Sequence, residues 1–248
     1  RLELTDSGQN LFTVSQQIFG LIAEAGDIVS GESELRGGSL RVGADNPFFI
    51  MEILAAFKEQ FPSIALTVSM DNANELFHSL RSFEIDVAIV TAVDLDADFI
   101  GIAYAQLDLV LLLPDGHPWS RRKDVSLAML EGVPVILREP MSTTRNLFMQ
   151  ALEQAGVSST VVMELRNQVA VREAVAAGLG LAPELVGGGR RDERLHHVTI
   201  ADAPVICHKY IACRKDRFML RKVQAFFDTA KAVAPVLAER KILTPPRV

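Results

Sequence analysis

Between Gly37 and Phe57 the apolar residues change their period within a few positions, and that change limits the folds open to the chain. Leu40, Val42 and Ala44 alternate with Arg41 and Gly43 as the side chains of a strand do. Ile50, Ile53, Leu54 and Phe57 instead recur at the i, i+3, i+4 spacing of a helix. Asp45-Asn46-Pro47 lies at the switch. Asp45 or Asn46 can cap the helix, and Pro47 suits its first position, where no backbone N–H is needed. The free donors and positive dipole end of that helix then face whatever lies beyond the strand. Ordinary strand–helix joints share this pattern, so the joint by itself does not make a ligand site.

The same unit recurs along the chain. A helix over 47 to 60 is followed by Pro62 as a stop, a strand Ile64 to Met70, a helix Ala73 to Arg81 and a strand Ile85 to Val90. That last strand is almost wholly apolar, as a strand covered on both faces of a parallel sheet should be. Thr91 falls at its carboxyl end, on the edge shared with Ala44 and Asp45, where open α/β sheets take their ligands. An acidic loop, Asp94 to Asp98, leads to Phe99–Ala105, to a strand Leu107 to Leu113, and to the turn Pro114-Asp115-Gly116-His117-Pro118.

A second series begins there. It reads as a short helix Leu127 to Leu130, a strand Val133 to Leu137, the loop Arg138 to Met141 and a helix from Ser142 to Ala155 stopped by Gly156. A strand Val161 to Leu165, a helix Val169 to Ala177 and a short strand beyond Gly178-Leu179-Gly180 continue it. After a polar loop at 187–194, Val198–Ile200 and Val205–Cys213 read as strands. Phe218, Leu220, Val223, Phe226 and Phe227 mark a final helix, which the element order assigns to the first lobe. The expected fold is α/β, two doubly wound lobes with a ligand cleft between them. At 248 residues the chain is long enough for both, a domain usually running to roughly 100–150 residues. The lobes are expected at 37–114 with 214–237 and at 115–213, with a tail at 238–248.

Ahead of them, Leu11, Val14, Ile18, Leu21, Ala25 and Ile28 follow one another at 3, 4, 3, 4, 3, the a/d spacing of a two-helix seam. The spacing predicts a helix to about Ser30 that pairs with a second copy. An amphipathic helix lying on its own domain is the plainer alternative. Gly31 to Gly38 reads as a hinge.

Several kinds of chemistry are poorly supported. Cys207 and Cys213, if in one strand, stand roughly 20 Å apart and cannot form a disulfide. His196 and His197 point to opposite faces of a strand and cannot share a metal; with His208 they read as surface residues. Asp94, Asp96 and Asp98 lack the glycine and glutamate of a calcium loop. No nucleophile elbow, phosphate loop, zinc-protease motif or complete dinucleotide fingerprint occurs, so neither an enzyme nor a cofactor is expected. There is no export leader and no apolar run of membrane-spanning length, which points to the cytoplasm. A formal charge of −6 argues against this chain gripping nucleic acid itself.

An anionic ligand has better support. Ser142, Thr143 and Thr144 offer hydroxyls and backbone donors at a helix start, with the forked cation of Arg145 beside them, and Asn167 and Gln168 do likewise at the next helix. With Asp45 and Asn46 this makes three donor-bearing helix starts at carboxyl ends of strands. Asp45 sits oddly beside an anion, unless it only caps its helix or receives an ammonium group of a zwitterion.

The sequence also resembles a known family. Arg1-x-x-Leu4-Thr5-x-x-Gly8 and the amphipathic helix, then Leu40-Arg41-Val42-Gly43, Phe57-x-x-x-Phe61-Pro62, Asp86-Val87-Ala88-Ile89 and Leu111-x-x-Pro114-x-x-His117-Pro118 stand in the order found in LysR-type transcriptional regulators. The resemblance covers nearly the whole chain, without the DNA-reading winged helix–turn–helix. It implies that 1–36 is the end of the DNA-binding domain and a dimerisation linker helix, and that the lobes form an effector-binding domain related in fold to periplasmic solute-binding proteins. It further implies a small effector between the lobes, a homodimer or homotetramer, and promoter DNA bound through the missing domain. Asp45, the stretch Arg138 to Arg145, and Val171 to Gly180 look most similar to regulators associated with phosphonate or aminophosphonate use, from which Phe48-Phe49 and Leu181-Ala182-Pro183 depart; Met141 stands where the family usually has a glycine. A transport-associated solute-binding protein shares the expected fold, but would have no reason for the heptad helix.

Overall fold

A computed structural model of the chain describes residues 37–186, 192–203 and 205–239, together with residues 5, 7–8, 11–12, 14–15, 18–19, 21–22 and 26. In chain order the first elements are β1 (Ser39–Ala44), α1 (Pro47–Gln60), β2 (Ala65–Met70), α2 (Ala73–Arg81), β3 (Val87–Ala92) and β4 (Phe99–Pro114). They are followed by β5 (Asp124–Val125), a 3-10 turn (Leu127–Leu130), β6 (Pro134–Arg138), α3 (Thr143–Ala155), β7 (Thr160–Leu165) and α4 (Gln168–Ala176). The series closes with β8 (Ala182–Val186), β9 (Leu195–Ile200), β10 (Ile206–Arg214), a second 3-10 turn (Lys215–Arg217) and α5 (Arg221–Glu239). The chain divides into two compact α/β units.

Unit 1 contains the described residues through Val90, Leu95–Ile102 and Tyr210–Val233. β1 pairs in parallel with β2 on one side and with β3 on the other, the connections being α1 and α2. This is the doubly wound arrangement that the change of period anticipates, and its apolar positions are the buried ones: Leu40, Val42, Ile50, Ile53 and Phe57. The Phe57 ring packs against Phe61 and, at 5.4 Å between centroids, against Phe226 of α5. The final helix therefore belongs to this unit as far as Val233. The Arg41 guanidinium donates to both carboxylate oxygens of Asp86, which also accepts the Arg41 backbone N–H, and so pins β1 to the entry of β3.

Unit 2 contains Thr91–Asp94 and Ala103–Lys209. Here the later part of β4 pairs antiparallel with both β8 and β9, β9 takes β5 in parallel, and β6 and β7 form a separate parallel pair. Phe148 and Leu152 of α3 pack with Leu111, Val135 and Leu137. Val171 and Val175 of α4 pack with Leu112, Ile136 and Ala182.

Several boundaries differ from the sequence expectation. β3 runs two residues further, so that Thr91 lies inside the strand and is buried with its five neighbours. Phe99 to Pro114 is one strand of 16 residues, which runs through Gln106, where the sequence expectation has a segment end at Ala105 and a strand begin at Leu107. That strand also carries the division between units: residues up to Ile102 go with unit 1 and those from Ala103 with unit 2, where the turn at Pro114 was expected to mark the boundary. In β10 the change falls between Lys209 and Tyr210 rather than at Cys213.

The described residues between Ser7 and Gly26 are helical. Leu11, Val14, Ile18 and Leu21 are exposed, from 48% to 68%. Ala25 and Ile28, the other two seam positions, lie outside the described residues, as do hinge residues 31–36.

Candidate functional site

Four of the expected ligand residues stand in unit 2 around one structural feature that the sequence reading overlooked. Lys209, in the middle of β10, is only 2% exposed. Its ammonium donates to Thr91 Oγ1 at 2.5 Å. The backbone carbonyl of Thr91 accepts from Thr143 Oγ1 at 3.5 Å, and Thr143 opens α3. Ser142 precedes it as N-cap, buried, with its hydroxyl accepting from the Arg145 N–H. Thr144, half-buried, occupies the second position of the helix. A buried ammonium and the positive end of a 13-residue helix are thus joined through the two faces of Thr91. Holding a cation out of water is costly, and a region so arranged favours an anion.

The remaining expected residues are placed differently. The Arg145 guanidinium donates to the Arg138 carbonyl at 2.7 Å and to Glu164 Oε2 at 2.5 Å, so its charge is tied to β6 and β7. Arg138 itself forms a two-pronged pair with Glu139. Asn167 caps α4 with Oδ1 accepting from the Ala170 N–H at 2.7 Å. The Gln168 amide donates to Glu184 Oε1 at 2.8 Å. In unit 1, Asp45 and Asn46 lie between β1 and Pro47 at the start of α1, and the Asp45 N–H donates to the Ile89 carbonyl of β3. Two of the three donor-bearing helix starts therefore belong to unit 2 and one to unit 1.

Glu184 is the second residue the sequence reading missed. It is 7% exposed on β8. Besides Gln168 it accepts from Arg172 Nη1 at 2.8 and 3.0 Å and bonds His197 Nε2 at 2.8 Å. Burial pushes its carboxyl up, but the bonds from His197 and Arg172 and the guanidinium charge outweigh that, leaving it below the ordinary carboxylate value. His196, one residue before His197, reaches Asp115 instead, as opposite faces of a strand require.

Among the described residues no group of three or more His, Cys, Asp or Glu stands close enough to hold a metal ion. No helix among them is long and apolar enough to cross a membrane. A surface groove of about 440 Å³ in unit 1, lined by Gln60, Arg221, Gln224, Asp228 and Thr229 among others, contains none of the expected residues.

Comparison with known proteins bears on what such a site serves. The family model for the LysR substrate binding domain matches residues 33–235. The chain is 29% identical over 240 residues to the HTH-type transcriptional regulator CbbR of Xanthobacter flavus, covering 92% of this chain and 71% of that protein. It is 24% identical over 238 residues to the HTH-type transcriptional activator CmpR of Synechocystis, covering 92% and 77%. Its fold matches that of the Synechocystis PCC6803 CcmR regulatory domain in complex with 2-PG, with a TM-score of 0.72 and 24% identity over 79% of this chain and 97% of that one.

Proposed function

Because the chain belongs to the family of the LysR substrate binding domain, we propose that it is the effector-sensing part of a LysR-type transcriptional regulator whose effector is a small anion or zwitterion held in unit 2. The observation that carries this reading is the buried Lys209 ammonium on Thr91, whose carbonyl is in turn bonded by Thr143 at the start of α3. Fixed donors of this kind lose little entropy on binding and discriminate by charge. Thr144, on the same first turn, adds a hydroxyl. Arg145 contributes through the field of a guanidinium already held by Glu164, not as a free fork. Asn167 and Gln168 act through the backbone donors at the start of α4, since their side chains are engaged.

The relatives support the regulatory part of the proposal: CbbR and CmpR are transcriptional regulators, and CcmR was captured with 2-PG. Promoter DNA is then bound by a domain N-terminal to these residues. Phosphonates and aminophosphonates, which the sequence resemblance favours, are the finer form of the proposal.

Titration calorimetry with inorganic phosphate, 2-PG and 2-aminoethylphosphonate tests it. Lys209→Met should weaken every anion that binds by roughly 10- to 150-fold, the worth of about 1.5–3 kcal/mol for a charged hydrogen bond. Its melting temperature and far-UV circular dichroism, measured alongside, separate a loss of binding from a loss of folding. Parent chain that binds none of the three, or Lys209→Met that binds them as the parent does, overturns the placement of the site.

A further inference from the structure

The buried Glu184 has no place in the anion site itself, yet it is the most heavily bonded carboxylate among the described residues of unit 2. Oε1 accepts from Gln168 and Arg172, and Oε2 engages Arg172 and His197, all between 2.8 and 3.0 Å. Gln168 and Arg172 are four residues apart and therefore share one face of α4 over its first turns. His197 comes from β9, and β9 and β8 flank the same residues of β4: Val110 pairs with Glu184 and with Thr199, and Leu112 with Ala182 and with His197.

One carboxylate thus fastens the start of a nine-residue helix to the sheet beneath it. Apolar packing of Val171 and Val175 sets which face of α4 meets the sheet, but it is less directional than a hydrogen bond and leaves the helix some freedom to turn and tilt. Two charge-assisted bonds to Arg172 and one bond to Gln168 limit that freedom. Leaving a buried carboxylate half satisfied is expensive, which is a reason for the full set of partners.

We propose that Glu184 is a positioning residue: through Gln168 and Arg172 it sets the direction in which the free backbone donors of the first turn of α4 point, and so the affinity of unit 2 for its anion. The functional half of this inference rests on the proposed effector site; the positioning half does not.

The test uses Glu184→Gln, Glu184→Asp and Lys209→Met in the 248-residue chain, with inorganic phosphate as the probe. Amide hydrogen exchange should be at least tenfold faster at the hydrogen-bonded amides of residues 170–172 in Glu184→Gln than in the parent, with the amides of α3 unchanged. Phosphate affinity should fall at least fivefold. Glu184→Asp, which keeps the charge, should recover much of both. Uniformly faster exchange in α3 and α4 alike, or exchange in α4 equal to the parent's, overturns the positioning role. Unchanged phosphate affinity in Glu184→Gln, where Lys209→Met abolishes it, overturns the link to binding. If Lys209→Met binds phosphate as tightly as the parent, the effector-site reading fails, and the exchange of α4 still decides the positioning role.

Discussion

A lysine in the interior of a strand is among the least expected residues to find buried, and Lys209 shows what such a residue leaves in a sequence. Cys207, Lys209, Ile211 and Cys213 share one face of β10 at period two, and all four are buried. The alternation was legible; what was not legible is that Thr91, 118 residues away, supplies the oxygen that accepts from Lys209. The caps were easier. Ser142 and Asn167 cap their helices as their positions predict, because capping is local. The partners of Arg145 and Gln168 come from β7 and β8, and no spacing rule could have revealed them. The cysteines on the Lys209 face bear a prediction of their own. Burial pushes the Cys213 thiol up to about 12, with the nearby Asp216 charge adding to it, so almost no thiolate exists near neutral pH. Iodoacetamide at pH 8 should leave Cys213 unlabelled in the native chain and label it after unfolding in urea. Rapid labelling of the folded protein would contradict the burial of this face.

At the level of elements, the agreement between sequence and structure follows the strength of the local signal. α2 runs from Ala73 to Arg81 as expected, with Asn72 accepting from the Glu75 N–H as its cap. The sequence separates Phe99–Ala105 from a strand Leu107–Leu113 at Gln106, yet Gln106 is buried within β4 and its amide donates to the Asp108 carboxylate. The strand needs its close neighbours. At Gly101 a Cβ would lie 2.8 Å from the Ile211 carbonyl oxygen of β10 and 2.5 Å from a Leu95 methyl. Backbone cannot yield as a side-chain tip can, so Gly101→Ala should lower stability by about 1–3 kcal/mol, read as a lower urea midpoint with an unchanged m-value. The clamp on α4 gives a pH-dependent companion to this measurement. With its folded pKa held below the ordinary value of 4.5, Glu184 contributes stability that is present above that value and is lost as pH falls through the folded pKa. The difference in urea midpoint between parent and Glu184→Gln should therefore be largest near pH 7 and shrink below about pH 4.5. A constant difference across that range would mean that shape, not charge, holds the helix.

For the whole molecule, Leu11, Val14, Ile18 and Leu21 are exposed apolar residues at the spacing of a helix seam, and an exposed stripe of this kind marks an interaction surface. We expect this stripe to mediate self-association, and a charge placed in it by Ile18→Glu or Leu21→Lys to weaken pairing. Light scattering across a concentration series should show the parent as a dimer or larger and the variants shifted toward monomer; a parent that stays monomeric would refute the seam. The two units also differ in how they are strung along the chain. Unit 2 is almost continuous, whereas unit 1 is completed only by Tyr210–Val233, after the whole of 103–209 has intervened. During synthesis, at about 5–20 residues per second, the strands and helices of the first half therefore wait for roughly 6–25 s before Phe226 can reach Phe57. Over that interval β1, α1 and β2 have exposed apolar faces and are candidates for chaperone binding, while unit 2 is free to finish first.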